Sequence, residues 1–223
     1  ALITAGTIKD DFYRLADCDL IIEAVIEQLS VKQALYRRLD ETVSPYCVIT
    51  SNTSTIPISL LVEGMPVSFA ARFAITHYFN PVRFMRLLEL VRGADTDDAI
   101  MDKLARFNDK TLGKGVVRCG DTPGFLGNRI GVYALQVGLY EALNKGISIE
   151  DADALVGRPL GIPKTGVFGL YDLIGVDLMS DVVTSLRTIL PEQDDFHSVG
   201  VDHQRVSQMI EDGYIGNKGK GGF

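Results

Sequence analysis

Two residues of types that transfer protons lie in neighbouring apolar segments. His77 lies near the end of residues 73–79, and Glu89 lies within residues 87–91. A carboxylate in such a segment is costly to bury without a partner. If the chain between them turns into an antiparallel pair of strands centred on Arg83, His77 and Glu89 stand opposite each other. Their Cβ atoms would then be roughly 4.5–5.5 Å apart, which predicts a hydrogen-bonded pair.

This predicted pair has two interpretations. A carboxylate that holds one imidazole nitrogen leaves the other nitrogen as a base, because histidine changes its charge near neutral pH. Alternatively, the two side chains satisfy each other as a structural pair inside a core. The spacing supports both interpretations equally.

A polar turn, Ser51-Asn52-Thr53-Ser54, directly follows a short apolar segment at residues 47–50. In open α/β sheets, ligands bind beyond the carboxyl ends of the strands, so these hydroxyl and amide groups would face a cofactor or a substrate. Ser and Asn are also common in ordinary turns. The turn by itself favours neither possibility.

An α/β arrangement is needed to position these residues in the first half of the chain. Strands are predicted at 19–25, 47–50, 73–78, 86–91 and 115–119. Ser30 and Gln33 have the spacing of a capping box at the start of the first helix. Its apolar face is predicted from Val31, Leu35, Leu39 and Val43. A second helix is expected to begin at Asp95 or Thr96 and to stop at Gly113.

The second half shows a helical pattern with no strand signal. Pro123 is expected to open a long helix that runs to Asn144, with Asn128 in its first turns. Further helices are predicted at 149–156, 166–175, 177–190 and 203–212. The fold class is therefore α/β followed by all-α, with predicted domains 1–120 and 121–223.

The charge and composition exclude several classes of function. The 223 residues carry a net charge of −7 with a pI near 5.0 and no basic stripe, which is unlike a nucleic-acid-binding protein. No apolar run reaches the ~18 residues of a membrane span. Cys18, Cys47 and Cys119 have no Cys-x-x-Cys spacing, which favours free thiols in a reducing compartment. The cytoplasm and an organelle matrix both fit, and we expect a cytoplasmic protein.

Two other polar segments are expected to be solvated rather than functional. His197 and His203 lie near Asp194, Asp195 and Asp202, but without a fixed ligand spacing, so we expect no metal site. Lys218 and Lys220 lie in a glycine-rich tail, which we expect to be a solvated end.

A glycine-rich phosphate-binding turn is missing from the expected place. A doubly wound nucleotide-binding domain starts with a strand, a Gly-x-Gly-x-x-Gly turn and a helix. Gly6 is the only glycine among residues 1–16. We therefore expect the first half of such a domain, roughly eighty residues, to lie upstream of this chain. Without it, the chain should bind a dinucleotide weakly and show no useful turnover.

Five motifs in this chain resemble those of the L-3-hydroxyacyl-CoA dehydrogenases in order and spacing. They are Asp19-Leu-Ile-Ile-Glu-Ala-Val-Ile-Glu27, Ser51-Asn-Thr-Ser54, His77-Tyr-Phe-Asn-Pro81, Leu88-Glu89 and Asp121-Thr-Pro-Gly-Phe-x-x-Asn-Arg129. The resemblance covers essentially the whole chain. The segments 112–117 and 161–164 look most like the large bacterial forms that are fused to an enoyl-CoA hydratase.

The resemblance implies an NAD-dependent oxidation of L-3-hydroxyacyl-CoA to 3-oxoacyl-CoA in fatty-acid β-oxidation. His77 would be the catalytic base, Glu89 its orienting carboxylate, and Ser54 and Asn128 the hydrogen-bonding partners of the reacting oxygen. The fold implied is the C-terminal half of a Rossmann-type NAD-binding domain followed by a helical domain. A homodimer through residues 122–223 is implied as well. The implied cofactor contacts are Glu27 and Lys32 at the nicotinamide-side ribose, and Asn52 and Asn80 along the nicotinamide pocket.

Two other functions remain open at this point. Ser54, His77 and Glu89 could form the nucleophile, base and acid of a serine hydrolase. Ser54, however, lacks the Gly-x-Ser-x-Gly elbow that exposes such a nucleophile. The chain could also be a structural relative that has lost the reaction, although all four residues of catalytic type are present.

Overall fold

Residues 2–161 and 164–223 are described by the computed structural model, and the chain divides into two compact units, 1–126 and 127–223. Ile162 and Pro163, which belong to the 161–164 segment compared above with the large bacterial forms, lie outside the described residues. The first unit contains a sheet with helices. The second unit is helical.

Five strands form the sheet of the first unit in the order β1-β2-β3-β4-β5. The first three strands are parallel, β4 is antiparallel to β3, and β5 is parallel to β4. The short apolar runs of β2 and β3 are buried on both faces, as parallel strands covered by helices require. All five predicted strands are confirmed. Their bounds are Leu20–Glu23, Val48–Ser51, Phe73–Tyr78, Leu87–Arg92 and Gly115–Cys119.

Helices connect the parallel strands of this unit. A 3₁₀ helix, Phe12–Asp17, precedes β1, and a π-helical turn, Phe107–Thr111, follows α4. The α-helices are α1 (Leu29–Thr42), α2 (Ile58–Leu61), α3 (Val67–Ala70) and α4 (Asp98–Arg106).

The predicted start of α1 is wrong. The helix begins at Leu29 with Gln28 as its N-cap, so Ser30 lies inside its first turn. The Gln33 side chain donates from Nε2 to the carbonyl oxygen of Leu60 at 2.8 Å instead of turning back to Ser30. The contact with α2 therefore replaces the capping box.

The predicted buried face of α1 is also partly wrong. Val31 is 40% exposed, whereas the polar residues Lys32 and Tyr36 are fully buried together with Leu39. Lys32, Tyr36 and Leu39 lie on one face because residues three and four apart are neighbours on a helix. The polar groups of this face find partners in the sheet, which apolar periodicity does not reveal.

Two further helix starts differ from the prediction. The N-cap of α4 is Asp97, because the Thr96 hydroxyl donates to the Phe73 carbonyl oxygen at 2.7 Å and is buried beside the sheet. The long helix α5 begins at Gly127 rather than at Pro123. Gly124 and Phe125 have φ values of 73° and 49°, and this left-handed backbone is incompatible with a helix.

The second unit packs its helices around one apolar core. Val132 and Leu139 of the long helix are buried there with Phe168, Val183 and Phe196. Within the described residues of this unit, the single β-type contact is the bridge between Gly216 and Gly221. The helices are α5 (Gly127–Lys145), α6 (Ile149–Leu155), α7 (Phe168–Ile174), α8 (Val176–Ile189), α9 (Phe196–Val199) and α10 (Gln204–Asp212).

The glycine-rich tail is partly packed, although Lys218 and Lys220 remain exposed, as expected of a solvated end. The Phe223 ring packs against the rings of Phe168 and Tyr171, with centroids 4.8 and 6.0 Å away. Lys218 forms an ion pair with Asp177 at 2.7 Å, and Lys220 donates to the carbonyl oxygen of Asp212 at 2.8 Å. The tail therefore folds back onto the helices.

Candidate active site

The predicted partnership of His77 and Glu89 is present. The two residues face each other across β3 and β4, and the turn between them is centred on Arg83 as the spacing predicts. Nδ1 of His77 lies 2.6 Å from Oε2 of Glu89, and the carboxylate is fully buried. Oε1 of Glu89 also accepts a hydrogen bond from the Leu126 backbone N–H at 2.8 Å. The imidazole is thus fixed from the sheet.

The other imidazole nitrogen meets the polar turn that follows β2. Oγ of Ser54 lies 3.1 Å from Nε2 of His77. Since an ionised carboxylate can only accept, the proton of a neutral imidazole belongs on Nδ1 and the lone pair on Nε2. Aromatic rings of Phe79 and Phe125 flank the imidazole, with centroids 4.5 and 5.9 Å away. The basic nitrogen Nε2 of His77 therefore points toward the Ser54 hydroxyl.

Ser54 is itself held by a carboxylate. Oε1 of Glu27 accepts hydrogen bonds from the Thr53 hydroxyl, the Ser54 backbone N–H at 3.1 Å and the Thr55 hydroxyl at 3.3 Å. Partial burial raises the pKa of Glu27, but the Thr53 hydroxyl and the ammonium of Lys32 outweigh it and hold the pKa below its ordinary value. Glu27 therefore remains a carboxylate at neutral pH. Its side chain is 40% exposed.

Lys32 lies behind Glu27 rather than beside open space. Its ammonium is 3.2 Å from Oε2 of Glu27 and 2.8 Å from Oε1 of Glu23, and its side chain is 1% exposed. It also donates to the carbonyl oxygen of Val25 at 3.3 Å. The direct ribose contact that the resemblance implies for Lys32 stays a prediction.

The three asparagines that the resemblance assigns to the site occupy different places. Oδ1 of Asn52 accepts from the backbone N–H of Tyr78 at 2.9 Å, which ties the turn after β2 to the end of β3. Asn80 is exposed at the start of the turn between β3 and β4. Asn128 is the second residue of α5 in the helical unit, and its contact with the reacting oxygen stays a prediction.

Glu23 and Tyr36 belong to the surroundings of the site, although sequence analysis did not select them. Glu23 ends β1 and accepts from the Tyr36 hydroxyl at 2.6 Å and from the Ser51 hydroxyl at 2.7 Å. The signal was present in the sequence, because Glu23 ends an apolar run in the way that Glu89 interrupts another. The partners of Glu23 on α1, however, become neighbours only in the fold.

The acidic segment near the C-terminus is less solvated than predicted. Asp194 forms an ion pair with Arg129 at 2.5 Å, and Asp202 pairs with Arg187 at 3.0 Å. His203 accepts at Nδ1 from the backbone N–H of Arg205, as the N-cap of α10. Across residues 2–161 and 164–223, no three His, Cys, Asp or Glu side chains are grouped so that they could hold a metal ion. No helix in the same ranges is long and apolar enough to cross a membrane.

Two family models match consecutive parts of the chain. Residues 1–122 match the family model for the NAD binding domain of 3-hydroxyacyl-CoA dehydrogenase, and residues 124–223 match the model for its C-terminal domain. A Rickettsia prowazekii protein named as a fatty acid oxidation complex trifunctional enzyme is 39% identical over 99% of this chain. The mitochondrial hydroxyacyl-coenzyme A dehydrogenase of Sus scrofa is 34% identical over 100% of it.

The chain spans only part of these relatives. It covers 31% of the length of the Rickettsia protein and 68% of the Sus scrofa enzyme. The crystal structure of the (S)-3-hydroxybutyryl-CoA dehydrogenase of Ralstonia eutropha superposes with a TM-score of 0.80 at 30% identity, over 93% of this chain and 70% of that one. From the two family models, the relatives and the shared fold, we conclude that the chain belongs to the 3-hydroxyacyl-CoA dehydrogenase family.

Proposed function

We propose that the enzyme containing this chain oxidises L-3-hydroxyacyl-CoA to 3-oxoacyl-CoA in fatty-acid β-oxidation, with NAD as cofactor. The observation that carries the proposal is the position of the His77 imidazole, between the buried Glu89 carboxylate at 2.6 Å and the Ser54 hydroxyl at 3.1 Å. A base held in this way can remove a proton from an alcohol. The family match supports the same reaction.

The side chains at the carboxyl ends of β1, β2 and β3 fit the nicotinamide end of a dinucleotide. Ligands of open α/β sheets bind at this edge. Glu27 can accept hydrogen bonds from ribose hydroxyls, while Asn52 and Asn80 can bind the carboxamide. These groups are exposed or half-buried, so they are available to a ligand. Bound NAD supplies the acceptor for the hydride that leaves C3 of the substrate.

The residues of this chain handle the proton of the same step. Nε2 of His77 takes the proton of the 3-hydroxyl group as the carbonyl forms. Glu89, at Nδ1, stabilises the imidazolium that results and keeps the ring in orientation. Ser54 and Asn128 are proposed to hydrogen-bond the reacting oxygen, which aligns its O–H with Nε2. Phe79 and Phe125 limit the access of water to the imidazole.

Turnover with the two enantiomers of 3-hydroxybutyryl-CoA tests this proposal. Full-length enzyme supplied with NAD should form NADH from the L-enantiomer, and the D-enantiomer should react far more slowly. Asn128→Ala should lower kcat by roughly tenfold or more if its amide holds the reacting oxygen. Lack of NADH formation with L-substrates of short, medium and long chain would favour the non-catalytic relative.

One observation favours a serine hydrolase activity as a second candidate function. Ser54, His77 and Glu89 are connected by hydrogen bonds in the order of a nucleophile, a base and an acid. Against it, the backbone N–H of Ser54 donates to Glu27 instead of facing open space, where an oxyanion would need donors. A fluorophosphonate probe distinguishes the two functions. Covalent labelling of Ser54, lost in Ser54→Ala, would support hydrolysis.

We propose that the helical unit forms a homodimer. Val132 and Leu139 of the long helix are buried in the core of the unit, so the contact needs other apolar residues. Leu173 and Leu178 stay exposed, at 62% and 47%, on either side of the junction between α7 and α8. Sedimentation at micromolar concentration should show twice the mass of one chain, and Leu178→Lys should reduce it. A single-chain mass for the wild type would overturn the dimer.

We propose that the enzyme acts in a reducing compartment such as the cytoplasm. The three cysteines are free thiols, with Cys47 buried and the other two partly buried. Structural disulfides, by contrast, are typical of oxidising compartments. Fractionation of cells that express a tagged full-length protein tests the location.

A further inference from the structure

Glu23 is a carboxylate whose surroundings are complete without a ligand. Its side chain is fully buried at the end of β1. Oε1 accepts from the Lys32 ammonium at 2.8 Å and the Val25 backbone N–H at 2.6 Å. Oε2 accepts from the hydroxyls of Tyr36 at 2.6 Å and Ser51 at 2.7 Å. Four donors, from α1, β2 and the loop after β1, thus converge on one carboxylate and fix it.

Lys32 connects the buried Glu23 to the partly exposed Glu27. A lysine ammonium has three N–H donors. They meet Oε1 of Glu23, Oε2 of Glu27 and the carbonyl oxygen of Val25. All three donors are therefore occupied by the protein, and the ammonium is buried. A ribose hydroxyl would have to displace one of these partners to bind Lys32 directly.

Glu27 is the outer end of the same series of contacts. One carboxylate oxygen is held by Lys32, and the other accepts from the Thr53 hydroxyl and the Ser54 backbone N–H. The Ser54 hydroxyl, in turn, lies 3.1 Å from Nε2 of His77. The contacts therefore run without a gap from Glu23 in the core to the proposed base.

We propose that Glu23 is a positioning residue, which acts through Lys32 and Glu27. It holds the polar turn at residues 51–54, here called the Ser54 turn, against His77. Lys32 serves the cofactor by holding Glu27 in place, and Glu27 makes the contact with the ribose. The kinetic part of this inference rests on the proposed dehydrogenase function. The structural part concerns the Ser54 turn alone.

The variant Glu23→Gln tests the inference, with Asp40→Asn as its matched control. Gln keeps the shape of the side chain but removes the negative charge that faces Lys32. Asp40 also lies on α1, at the other end, and pairs with the buried Arg72 at 2.7 Å. Both changes thus remove the carboxylate partner of a buried cation that joins α1 to the strands. Asp40 has no contact with Glu27 or the Ser54 turn among its described partners.

Hydrogen–deuterium exchange of residues 52–56 is the readout that does not require activity. Glu23→Gln should increase exchange of this segment about tenfold, because the acceptor of the Ser54 N–H is released. Asp40→Asn should leave it within about twofold of the wild type. An unchanged segment in Glu23→Gln would overturn the inference. If that variant does not fold, Tyr36→Phe, which removes a single donor from Glu23, should show a smaller increase, and its absence would overturn the inference equally.

Kinetics of the full-length enzyme separate positioning from general destabilisation. Glu23→Gln should lower kcat/KM about tenfold, mainly through a higher KM for NAD, while Asp40→Asn should stay within about twofold. The double variant Glu23→Gln/Glu27→Gln should lose no more than Glu27→Gln alone, because the two residues act in series. If the double variant instead lost kcat/KM by the product of the two single losses, Glu23 would not act through Glu27. A wild-type enzyme without turnover would refute the dehydrogenase function, while the exchange result would still decide the structural claim.

Discussion

Glu23 and Glu89 are two buried carboxylates of the same sheet, and their partners differ. Glu23 faces an ammonium, two hydroxyls and a backbone N–H, all of which donate to it. Glu89 faces an imidazole, whose other nitrogen lies beside Ser54. The charge of Glu23 therefore holds Lys32 and its neighbours in place, whereas the charge of Glu89 can stabilise the imidazolium that forms when His77 takes up a proton.

Burial of a carboxylate does not by itself identify a catalytic group. Both side chains interrupt or end an apolar strand, and both would be costly to bury alone. The imidazole partner, whose second nitrogen faces the Ser54 hydroxyl, distinguishes Glu89. Substitutions at the two positions should consequently have different effects on rate and on stability.

Removing the imidazole should cause the largest effect on the rate. His77→Gln in the full-length enzyme should lower kcat by roughly 10²–10⁴-fold, the usual contribution of a positioned general base. Steady-state turnover of L-3-hydroxybutyryl-CoA measures it, and NADH binding by fluorescence titration is the control for an intact nucleotide site. Near-normal turnover would show that the pair with Glu89 is structural.

The two carboxylates should show opposite orders in rate and stability. Glu89→Gln should lower kcat by about 10²-fold, because the imidazolium loses its counter-charge. It should cost about 1–2 kcal/mol of unfolding free energy. Glu23→Gln should affect kcat less but cost about 2–4 kcal/mol, since it leaves the buried Lys32 with one carboxylate. Urea unfolding and turnover of both variants check this. If one variant had both the larger loss of kcat and the larger loss of unfolding free energy, the two carboxylates would not differ in role as described.

The smallest effect concerns Tyr36, the phenol that donates to Glu23. Burial and the Glu23 carboxylate raise the pKa of Tyr36 far above its ordinary value. Its contribution to stability is therefore complete below about pH 10 and is lost as the pH rises further, because the unfolded chain then releases a proton that the folded chain keeps. Tyr36→Phe should make the alkaline loss of stability shallower, by up to about 1.4 kcal/mol per pH unit.

Tyr46→Phe is the control for this measurement, because the Tyr46 side chain is 86% exposed. Its urea-unfolding free energy should follow the wild-type curve between pH 9 and 11. A Tyr36→Phe curve that coincides with it would contradict a raised pKa of the Tyr36 phenol in the folded chain.

The hairpin pairing of His77 and Glu89 was predictable because residues in adjacent antiparallel strands pair at a constant sum of their numbers once the turn is placed. The five strands were predictable from apolar runs between turn residues. The Glu23 cluster was not, because Lys32 and Tyr36 look like the polar face of an amphipathic helix. Only the packing of α1 on the sheet turns that face inward.

The start of α5 shows a similar limit of local patterns. Proline is favoured in the first turn of a helix, and Pro123 satisfies that preference in the sequence. The left-handed residues Gly124 and Phe125 instead hold a turn before Gly127, and Leu126 uses its backbone N–H to contact Glu89. A contact of the site with the backbone thus decides where the helix can begin.

Transfer of deuterium from C3 of the substrate tests the dehydrogenase claim most directly. The full-length enzyme would be supplied with NAD and L-3-hydroxybutyryl-CoA that carries deuterium at C3, and the nucleotide product analysed by mass spectrometry. We expect NADH that contains one deuterium, together with 3-oxobutyryl-CoA, and neither product from His77→Gln at a comparable rate. Unlabelled nucleotide together with free coenzyme A, released by hydrolysis of the thioester, would contradict the account.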